Sequence, residues 1–327
     1  MQSFTIRTPS DFDLKRDVCS YGYFLLAPNF WNVREQSLSR VLDLPHGRTF
    51  VVVRQPLGVG KPLRVACASP IERTDRASVE SSLIRMLRLD ESADVISDFH
   101  RLDPRRRICG RGRIFRSPTL FEDVIKTVTS CNVTWPATVH MNRRMCETLG
   151  PKIQLAPGII AYGFPSPAKL SKTPASTLRA RCRVGYRDRR IVELAGLFVK
   201  ADTPRGLPLR LLEDDGTTDQ AVHDALIELP GIGPYAAANI MQLLGRYGRL
   251  PLDTESVRHG RTILGLDGSS KSVMKAVKAH FEPFGDQAFR AYWFELWDAY
   301  EARNGPAWTW EPDSTGMMFT ASLQVRK

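Results

Sequence analysis

A glycine-rich turn between two helical runs is the stretch of this sequence whose residues best fit a chemical task. The turn is Leu229-Pro230-Gly231-Ile232-Gly233, and the hairpin that it forms with its flanking helices covers about residues 225–246. Gly231 and Gly233 allow a tight turn and the close approach of another backbone. Pro234 suits the first position of the second helix, whose free N–H groups then form an anion site. A phosphodiester is the natural ligand for such a tip.

A carboxylate follows the hairpin along the chain. Leu250-Pro251-Leu252-Asp253 predicts a short extended segment that ends on this carboxylate, and a helix is expected from Thr254 onward. Asp253 therefore stands at the N-cap, where aspartate is favoured because its side chain accepts a hydrogen bond from the first turn. Such a cap would fix the direction of the carboxylate.

The composition favours a polyanionic partner. The chain has 327 residues, enough for two or three domains, and a formal net charge of +11. Attraction to phosphates dominates nucleic-acid affinity, so the charge points to nucleic acid, although a solvated basic surface would give the same value.

The sequence carries no sign of secretion or of a membrane span. No apolar run approaches the roughly 18 residues that a span requires, and the N-terminal residues lack the apolar region of a signal peptide. The six cysteines form no CxxC pair, which disfavours zinc and redox motifs. We expect a soluble, intracellular monomer without a membrane partner, in the cytoplasm or nucleoid of a bacterium or the nucleus of a eukaryote.

The first 115 residues predict a separate α/β domain. Residues 49–54 and 63–68 are β-rich runs joined by a loop with glycine and proline, which is typical of an antiparallel pair. Residues 4–6 add a strand, and residues 78–87 predict an amphipathic helix. No catalytic constellation is visible here, so we expect this domain to be a scaffold.

Two segments are rich in arginine. Residues 104–116 contain six arginines and are predicted either to follow a phosphate backbone or to form a solvated linker. Residues 177–199 are predicted to be mostly helical and place Tyr186 among arginines. Tyr186 is then either an exposed wedge or stacking residue, or a buried tyrosine beneath solvated arginines.

Helices are predicted for most of the remaining chain. Residues 120–150 predict two helices with a break near residues 132–136, and residues 272–280 and 287–303 predict two more. The last of these carries a stripe of aromatic residues, and such a stripe is more often core than a ligand site.

The hairpin and the downstream aspartate together resemble the helix-hairpin-helix DNA glycosylase superfamily. The resemblance rests on Leu229-Pro230-Gly231-Ile232-Gly233-Pro234-Tyr235 and Leu250-Pro251-Leu252-Asp253, and it covers about residues 115–303. The chain is similar to the 3-methyladenine DNA glycosylase II and 8-oxoguanine DNA glycosylase branches, which carry an extra N-terminal α/β domain. The resemblance implies a mainly α fold: a core of two helical subdomains at residues 116–327, after an antiparallel-sheet domain at residues 1–115.

The activity implied by the resemblance is base excision repair. Such enzymes flip a damaged base out of duplex DNA and hydrolyse its N-glycosidic bond. Asp253 matches the family's catalytic aspartate, which stabilises a sugar with oxocarbenium character or orients a water. Tyr235 stands where bifunctional members carry a lysine nucleophile, so we expect a monofunctional enzyme that leaves an intact abasic site.

The resemblance also implies a base pocket. Tyr235 is typical of the 3-methyladenine glycosylase II group, which binds electron-poor alkylated bases by stacking. Phe289-Arg290-Ala291-Tyr292 resembles the Trp-Arg-Ser-Tyr segment of that group and places Phe289 at a base-stacking position. We therefore expect alkylated purines as substrates and a pocket formed by Tyr235, Phe289 and Trp293.

Further residues correspond to the family's DNA contacts. Asn132, Tyr186 and Arg187 match residues that the 8-oxoguanine branch uses at the gap left by the flipped base. The expected DNA-binding residues are Asn132, Tyr186, Arg187, Gly231, Gly233 and Pro234.

The family's hairpin also holds a monovalent cation, Na⁺ or K⁺, through backbone carbonyls that bridge it to a DNA phosphate. The corresponding carbonyls here belong to Ile227, Leu229 and Ile232. No cofactor is expected to be required. No cysteine follows the hairpin to ligate an iron–sulfur cluster, so a cluster is not expected.

Two alternative functions are compatible with the sequence. Tyr186 and Arg187 favour an 8-oxoguanine DNA glycosylase, whereas Tyr235 favours alkylated bases. A non-catalytic protein that binds DNA lesions would retain the hairpin and the basic segments without turnover. An RNA-binding module is disfavoured, because no RRM or KH pattern is present.

Overall fold

A five-stranded antiparallel sheet forms the N-terminal part of the computed structural model, which describes residues 2–320. The strands are Gln2–Ile6 (β1), Phe30–Asn32 (β2), Ser37–Leu44 (β3), Gly47–Arg54 (β4) and Leu63–Cys67 (β5). Their order in the sheet is β1-β5-β4-β3-β2. The predicted antiparallel pair is confirmed, since Val51 of β4 pairs with Cys67 of β5. The sequence patterns had not indicated β2 and β3.

Four helices belong to the same N-terminal part of the chain. They are Leu14–Val18 (α1), Arg73–Leu87 (α2), Ala93–Leu102 (α3) and Arg105–Cys109 (α4). The longest, α2, buries one apolar stripe that includes Val79, Leu83 and Met86. This stripe packs in the same hydrophobic core as Val51 and Val65 of the sheet, because alternate residues of a strand point to the same face.

The central region is helical, with one short hairpin of strands. Its helices are Leu120–Ser130 (α5), Trp135–Leu149 (α6), Pro167–Ser171 (α7), Ala175–Thr177 (α8), Asp188–Val199 (α9), Leu209–Glu213 (α10), Asp219–Ile227 (α11) and Pro234–Leu244 (α12). Its strands are Lys152–Ala156 (β6) and Ile159–Tyr162 (β7). The break between α5 and α6 was predicted. The helix predicted over residues 177–199 is interrupted, because Arg183 adopts a left-handed conformation with φ of +56°.

Four more helices complete the described chain. They are Thr254–Thr262 (α13), Ser270–Phe281 (α14), Ala288–Asn304 (α15) and Thr315–Met318 (α16). Short turns of 3₁₀ or π type lie at Gly22–Leu25, Leu178–Cys182, Gly185–Arg187, Glu282–Gln287 and Ala307–Thr309. Within residues 2–320, no helix has both the length and the hydrophobicity of a membrane span.

Two hydrophobic cores hold these elements together. One core combines residues 120–241, from α5 to α12. The other joins the N-terminal sheet to the C-terminal helices, so that Leu38 and Val53 share a core with Phe294 and Trp297. The N-terminal sheet and the helices after α12 are therefore packed around one hydrophobic core.

Both predictions for the arginine-rich segment at residues 104–116 are wrong. Four of its six arginines are buried, namely Arg106, Arg111, Arg113 and Arg116. Each pairs with carboxylates, for example Arg116 with Asp90 at 3.0 Å and Arg111 with Asp298 at 3.1 Å. Buried guanidinium groups need such partners. The segment is an internal ion-pair network and neither follows DNA nor forms a solvated linker.

A buried cluster of three charges ties the sheet to the helical core. Glu122 of α5 lies 2.8 Å from Arg40 Nη2 of β3 and 2.7 Å from Lys126 Nζ of its own helix. Burial opposes ionisation of Glu122, but Arg40 and Lys126 outweigh it and lower its pKa to about 2. One carboxylate thus compensates two buried cations.

Glu122→Gln is expected to destabilise the protein by roughly 3–5 kcal/mol, because it leaves two buried charges without their counter-ion. The measurement is urea unfolding at pH 7. Glu35→Gln is the matched control, since Glu35 and Arg54 form an ion pair whose side chains are about half exposed. This substitution should change the stability by no more than about 1 kcal/mol. Equal effects of the two substitutions would refute the role of the cluster.

Candidate active site

The hairpin consists of α11, a turn at residues 228–233, and α12. Gly231 has φ of +75°, and a β-carbon there would lie 2.5 Å from Arg190 Cδ, so only glycine fits. Gly233 has an extended backbone, and a β-carbon there would meet nothing within 4 Å. The space beside Gly233 is thus open in front of the first turn of α12. Pro234 has no N–H group there, and the N–H groups of Tyr235 and Ala236 have no partner within the helix.

Asp253 caps the helix that follows the hairpin, as predicted. Its Oδ1 accepts hydrogen bonds from the backbone N–H groups of Glu255 at 2.8 Å and Ser256 at 3.1 Å. Ser256 completes a capping box, because its hydroxyl accepts a hydrogen bond from the Asp253 N–H at 2.8 Å. The cap uses one carboxylate oxygen and leaves Oδ2 for other partners.

The environment of Asp253 raises its pKa to about 6. Burial is the largest cause, and the neighbouring Glu255 carboxylate adds to it, while the cap bonds and the Tyr235 hydroxyl act in the opposite direction. The group is thus mainly ionised at neutral pH, but it takes up a proton far more readily than an exposed aspartate. A carboxylate with such a pKa is suited to exchange a proton with a bound water.

Two cavities meet at Asp253 and Tyr235, which line both. We call the first the hairpin groove; it measures about 1070 Å³ and is lined by Asn132, Gly231, Gly233, Pro234, Tyr235, Asp253 and residues of α13. We call the second the aromatic cavity; it measures about 620 Å³ and includes Tyr21, Trp135, Tyr235, Asp253, Glu255, Arg258, Trp293 and Tyr300. The sequence-predicted carboxylate and hairpin tip therefore share one site.

Phe289 does not line either cavity, which corrects its predicted role as a base-stacking residue. Its side chain is 0% exposed, and it stacks behind Trp293 at 6.0 Å with nearly parallel rings. Tyr247 covers its other side. The two residues lie one turn apart on α15; Trp293 lines the aromatic cavity, and Phe289 supports it from within the core.

Several residues of the aromatic cavity were not indicated by the sequence. Tyr21 comes from the N-terminal domain, which was expected to be only a scaffold, and its ring packs against Trp293 at 4.8 Å. Its hydroxyl donates to Asn239 of α12 at 3.4 Å. The signal available in the sequence was the pair of tyrosines that flank Gly22. In the structure Gly22 packs closely on Trp135, because a β-carbon at this position would lie 2.8 Å from the indole ring.

Tyr186 is exposed, as one of its two predicted arrangements required. Its side chain is 53% exposed, and the guanidinium groups of Arg187 and Arg190 lie 4.4 and 5.4 Å from its ring. Arg190 also passes over Gly231. Tyr186 is thereby connected to the hairpin through one side chain.

Arg187 differs from the expected DNA contact, because it is only 4% exposed. Its guanidinium donates to the carbonyls of Val128, at 3.0 Å, and Cys131. These carbonyls end α5 and precede Asn132, which is exposed and left-handed with φ of +53°. Arg187 therefore fixes the loop of Asn132 relative to Tyr186 from beneath the surface.

The three carbonyls expected to hold a cation belong to the turn of the hairpin. The Leu229 carbonyl accepts a hydrogen bond from the Ile232 N–H at 3.1 Å. Within residues 2–320, the carbonyls of Ile227 and Ile232 accept no hydrogen bond. Free carbonyl oxygens are suitable ligands for a monovalent cation, so the turn fits this group. In the same part of the chain, no cluster of His, Cys, Asp or Glu side chains is arranged to hold a metal ion.

No protein-family model matches this sequence, and no curated protein sequence matches it. Solved structures do match. A 3-methyladenine DNA glycosylase from Archaeoglobus fulgidus superposes with a TM-score of 0.68 at 17% identity, over 90% of this chain and 98% of that one.

The 8-oxoguanine glycosylase/lyase of Clostridium acetobutylicum, in its apo form, superposes with a TM-score of 0.66 at 19% identity, over 90% of this chain and 95% of that one. Its complex with double-stranded DNA containing cytosine opposite 8-oxoguanine gives 0.66 at 18% identity, over 91% and 96%. The predicted fold class, a helical core with an N-terminal antiparallel sheet, is confirmed: the chain has the fold of these DNA glycosylases.

Asp253→Asn and Asp253→Ala are expected to differ in stability. Asparagine still caps α13, whereas alanine loses the cap at a cost of about 1 kcal/mol. Because the pKa of Asp253 is raised in the folded protein, its ionisation at pH 8 opposes folding, and Asn removes that charge. Urea unfolding at pH 8 should rank Asn at or above the wild type and Ala below Asn. An Ala variant as stable as Asn would contradict the cap.

Proposed function

We propose that the protein is a monofunctional DNA glycosylase of base excision repair, which hydrolyses the N-glycosidic bond of alkylated purines in duplex DNA. One observation carries the proposal: a capped, half-buried carboxylate lies where an anion-binding hairpin groove meets an aromatic cavity. The groove suits a phosphodiester, the cavity suits a base, and the carboxylate lies between them, where the sugar would be.

The DNA backbone would bind at the hairpin tip. The space in front of Gly233 lets a phosphate approach the N–H groups that begin α12. A monovalent cation at the carbonyls of Ile227, Leu229 and Ile232 would add a positive charge at this point when bound. Such contacts do not depend on base sequence, so they suit an enzyme that must act throughout a genome.

Tyr186 and Asn132 are the candidates to fill the gap left by a flipped nucleotide. Tyr186 is a large exposed ring backed by two arginines, and such rings insert between base steps. Arg187 holds its loop and that of Asn132 in one arrangement. Because Arg187 supports both loops, we treat Tyr186 and Asn132 as acting together, with Arg187 as a positioning residue.

The flipped base would enter the aromatic cavity and stack on Trp293, with Tyr235 beside it. Electron-poor purines stack well on indole and phenol rings, and a positively charged alkylated purine gains a further attraction. Phe289 and Tyr21 pack against Trp293 and hold its ring in place.

Hydrolysis would then proceed at the sugar carbon. The bond from C1′ to the base nitrogen breaks, and its electron pair leaves with the base. Positive charge develops on the sugar, where the ionised Asp253 stabilises it. A water adds to C1′ and loses a proton, which Asp253 can accept because its pKa is about 6. The products are a free base and an intact abasic site.

The absence of an amine at the site supports the monofunctional assignment. Tyr235 lines both cavities, and none of the described residues that line either cavity is a lysine. A lyase needs an amine to attack C1′ and form a Schiff base. A phenol held beside a carboxylate does not provide one.

Excision of 8-oxoguanine is the second candidate, and the exposed pair Tyr186 and Asn132 is the observation that favours it. The fold is also shared at similar TM-scores by an 8-oxoguanine glycosylase/lyase and a 3-methyladenine glycosylase. Tyr235 in place of the lysine is the reason to rank alkylated purines first.

The wild-type protein is expected to release 3-methyladenine or 7-methylguanine from methylated duplex DNA, and the strand should break only after alkali treatment. Asp253→Asn should lower the single-turnover rate about 100-fold or more, because it removes the charge that stabilises the sugar. Release of the base can be measured by chromatography.

A parallel duplex with 8-oxoguanine opposite cytosine decides between the two substrate classes. Excision of 8-oxoguanine alone would replace the first proposal with the second. If the wild type and Asp253→Asn both bound the lesion but released no base from any duplex, the protein would be a non-catalytic lesion-binding protein.

The rate of excision should depend on pH through Asp253. Its pKa of about 6 means that the active carboxylate is present above pH 6 and is lost as the pH falls through that value. We expect single-turnover rates on 7-methylguanine DNA to decline about tenfold for each pH unit well below 6. The residual rate of Asp253→Asn should show no such decline. A wild-type rate that is flat from pH 5 to pH 8 would contradict this role.

A further inference from the structure

The wall of the aromatic cavity carries a second carboxylate, which the proposed hydrolysis does not use. Glu255 lines this cavity together with Asp253 and Trp293, and its side chain is 28% exposed. The two are the only carboxylates among the described residues that line the cavity. Glu255 is therefore placed to meet a base that enters it.

Two donors hold one oxygen of Glu255. The Tyr300 hydroxyl donates to Oε1 at 2.7 Å, and Arg258 Nη2 donates to the same oxygen. Arg258 Nη2 also donates to the Tyr300 hydroxyl at 3.2 Å. No group in residues 2–320 donates to Oε2, so this oxygen is an unused acceptor on a side chain that its neighbours keep in one orientation.

The protonation of both donors is well defined. Burial and the Glu255 carboxylate raise the pKa of Tyr300 well above its ordinary value, so it remains a phenol that donates. Burial lowers the pKa of Arg258, but Glu255 and Tyr300 outweigh this effect and the pKa is raised. Both groups thus remain donors to Oε1 at neutral pH.

Tyr300, which holds Glu255 of α13, belongs to the same helix as Trp293. Trp293, Trp297 and Tyr300 form a chain of ring contacts along α15, with centroids 5.3 and 6.0 Å apart. Trp293 lines the cavity, and Tyr300, two turns further on, holds the Glu255 carboxylate. A purine stacked on the first would present an edge to the second.

We propose that Glu255 Oε2 reads the Watson–Crick edge of the flipped base and selects purines that carry an N–H donor there. Purines with an amino group, such as 3-methyladenine and 7-methylguanine, satisfy this acceptor. 1,N6-Ethenoadenine has no N–H on that edge, where it presents the N6 lone pair and the C–H groups of the etheno ring, so it would leave the carboxylate without a donor. The inference rests on the proposed function and adds the rule by which its site distinguishes bases.

Glu255→Gln should reverse this selectivity. The amide oxygen must remain with Tyr300 and Arg258, which have only hydrogens to offer, so the amide NH₂ takes the place of Oε2. The wall then presents a donor where it had an acceptor. Glu255→Ala removes both groups and should abolish the preference without reversing it.

Free bases test the rule without turnover. Calorimetric titration of the wild type should show 3-methyladenine binding at least about tenfold more tightly than 1,N6-ethenoadenine, a difference of about 1.4 kcal/mol. Glu255→Gln should invert the ratio, and Glu255→Ala should bring it close to one. Glu35→Gln, on the sheet domain, is the matched control and should keep the wild-type ratio.

A Gln variant that keeps the wild-type ratio would overturn the rule, and so would Gln and Ala variants with the same altered ratio. Neither result depends on base excision. If the wild type released no base from DNA but the ratios followed the expected pattern, the glycosylase proposal would fail and the recognition rule would stand. If the wild type released the base from DNA but Glu255→Gln kept the wild-type ratio of affinities, the glycosylase proposal would stand and the recognition rule would fail.

Discussion

The Asp253 carboxylate has to satisfy a helix and still remain available to a ligand. Its Oδ1 accepts the two backbone N–H groups that begin α13, and the capping box with Ser256 fixes the side chain. A half-buried charge would otherwise relax toward solvent, but the cap holds it where burial raises its pKa. Both cavities depend on this arrangement at one point, since Asp253 and Tyr235 belong to the wall that the two cavities share.

The local features of this site were accessible from the sequence because they depend on a few neighbouring residues. Gly231 needs a left-handed backbone, Pro234 begins a helix, and Asp253 caps one, and each requirement is expressed within four residues of the position concerned. The boundaries of α5 and α6 and the pairing of β4 with β5 are similar cases. These signals predict the hairpin and the helix after it, but they do not predict which residues from distant segments pack around the site.

The features that the sequence did not disclose all depend on contacts between distant segments. Phe289 and Trp293 are both aromatic and one turn apart, and the sequence does not show that Tyr247 packs on Phe289 whereas Trp293 lines the cavity. The arginines of residues 104–116 resemble a DNA-binding stretch until their carboxylate partners, more than a hundred residues away in some cases, are known. Tyr21 reaches the site because the sheet domain and α15 share a core.

We propose that a carboxylate, and not an amine, drives release of the base. Borohydride reduction during turnover on methylated duplex DNA tests this claim most directly, because it traps any Schiff base between a lysine and the sugar as a covalent protein–DNA adduct. The arrangement of Asp253 and Tyr235 predicts released base with no trapped adduct. A covalent protein–DNA adduct trapped from the wild-type protein would contradict it.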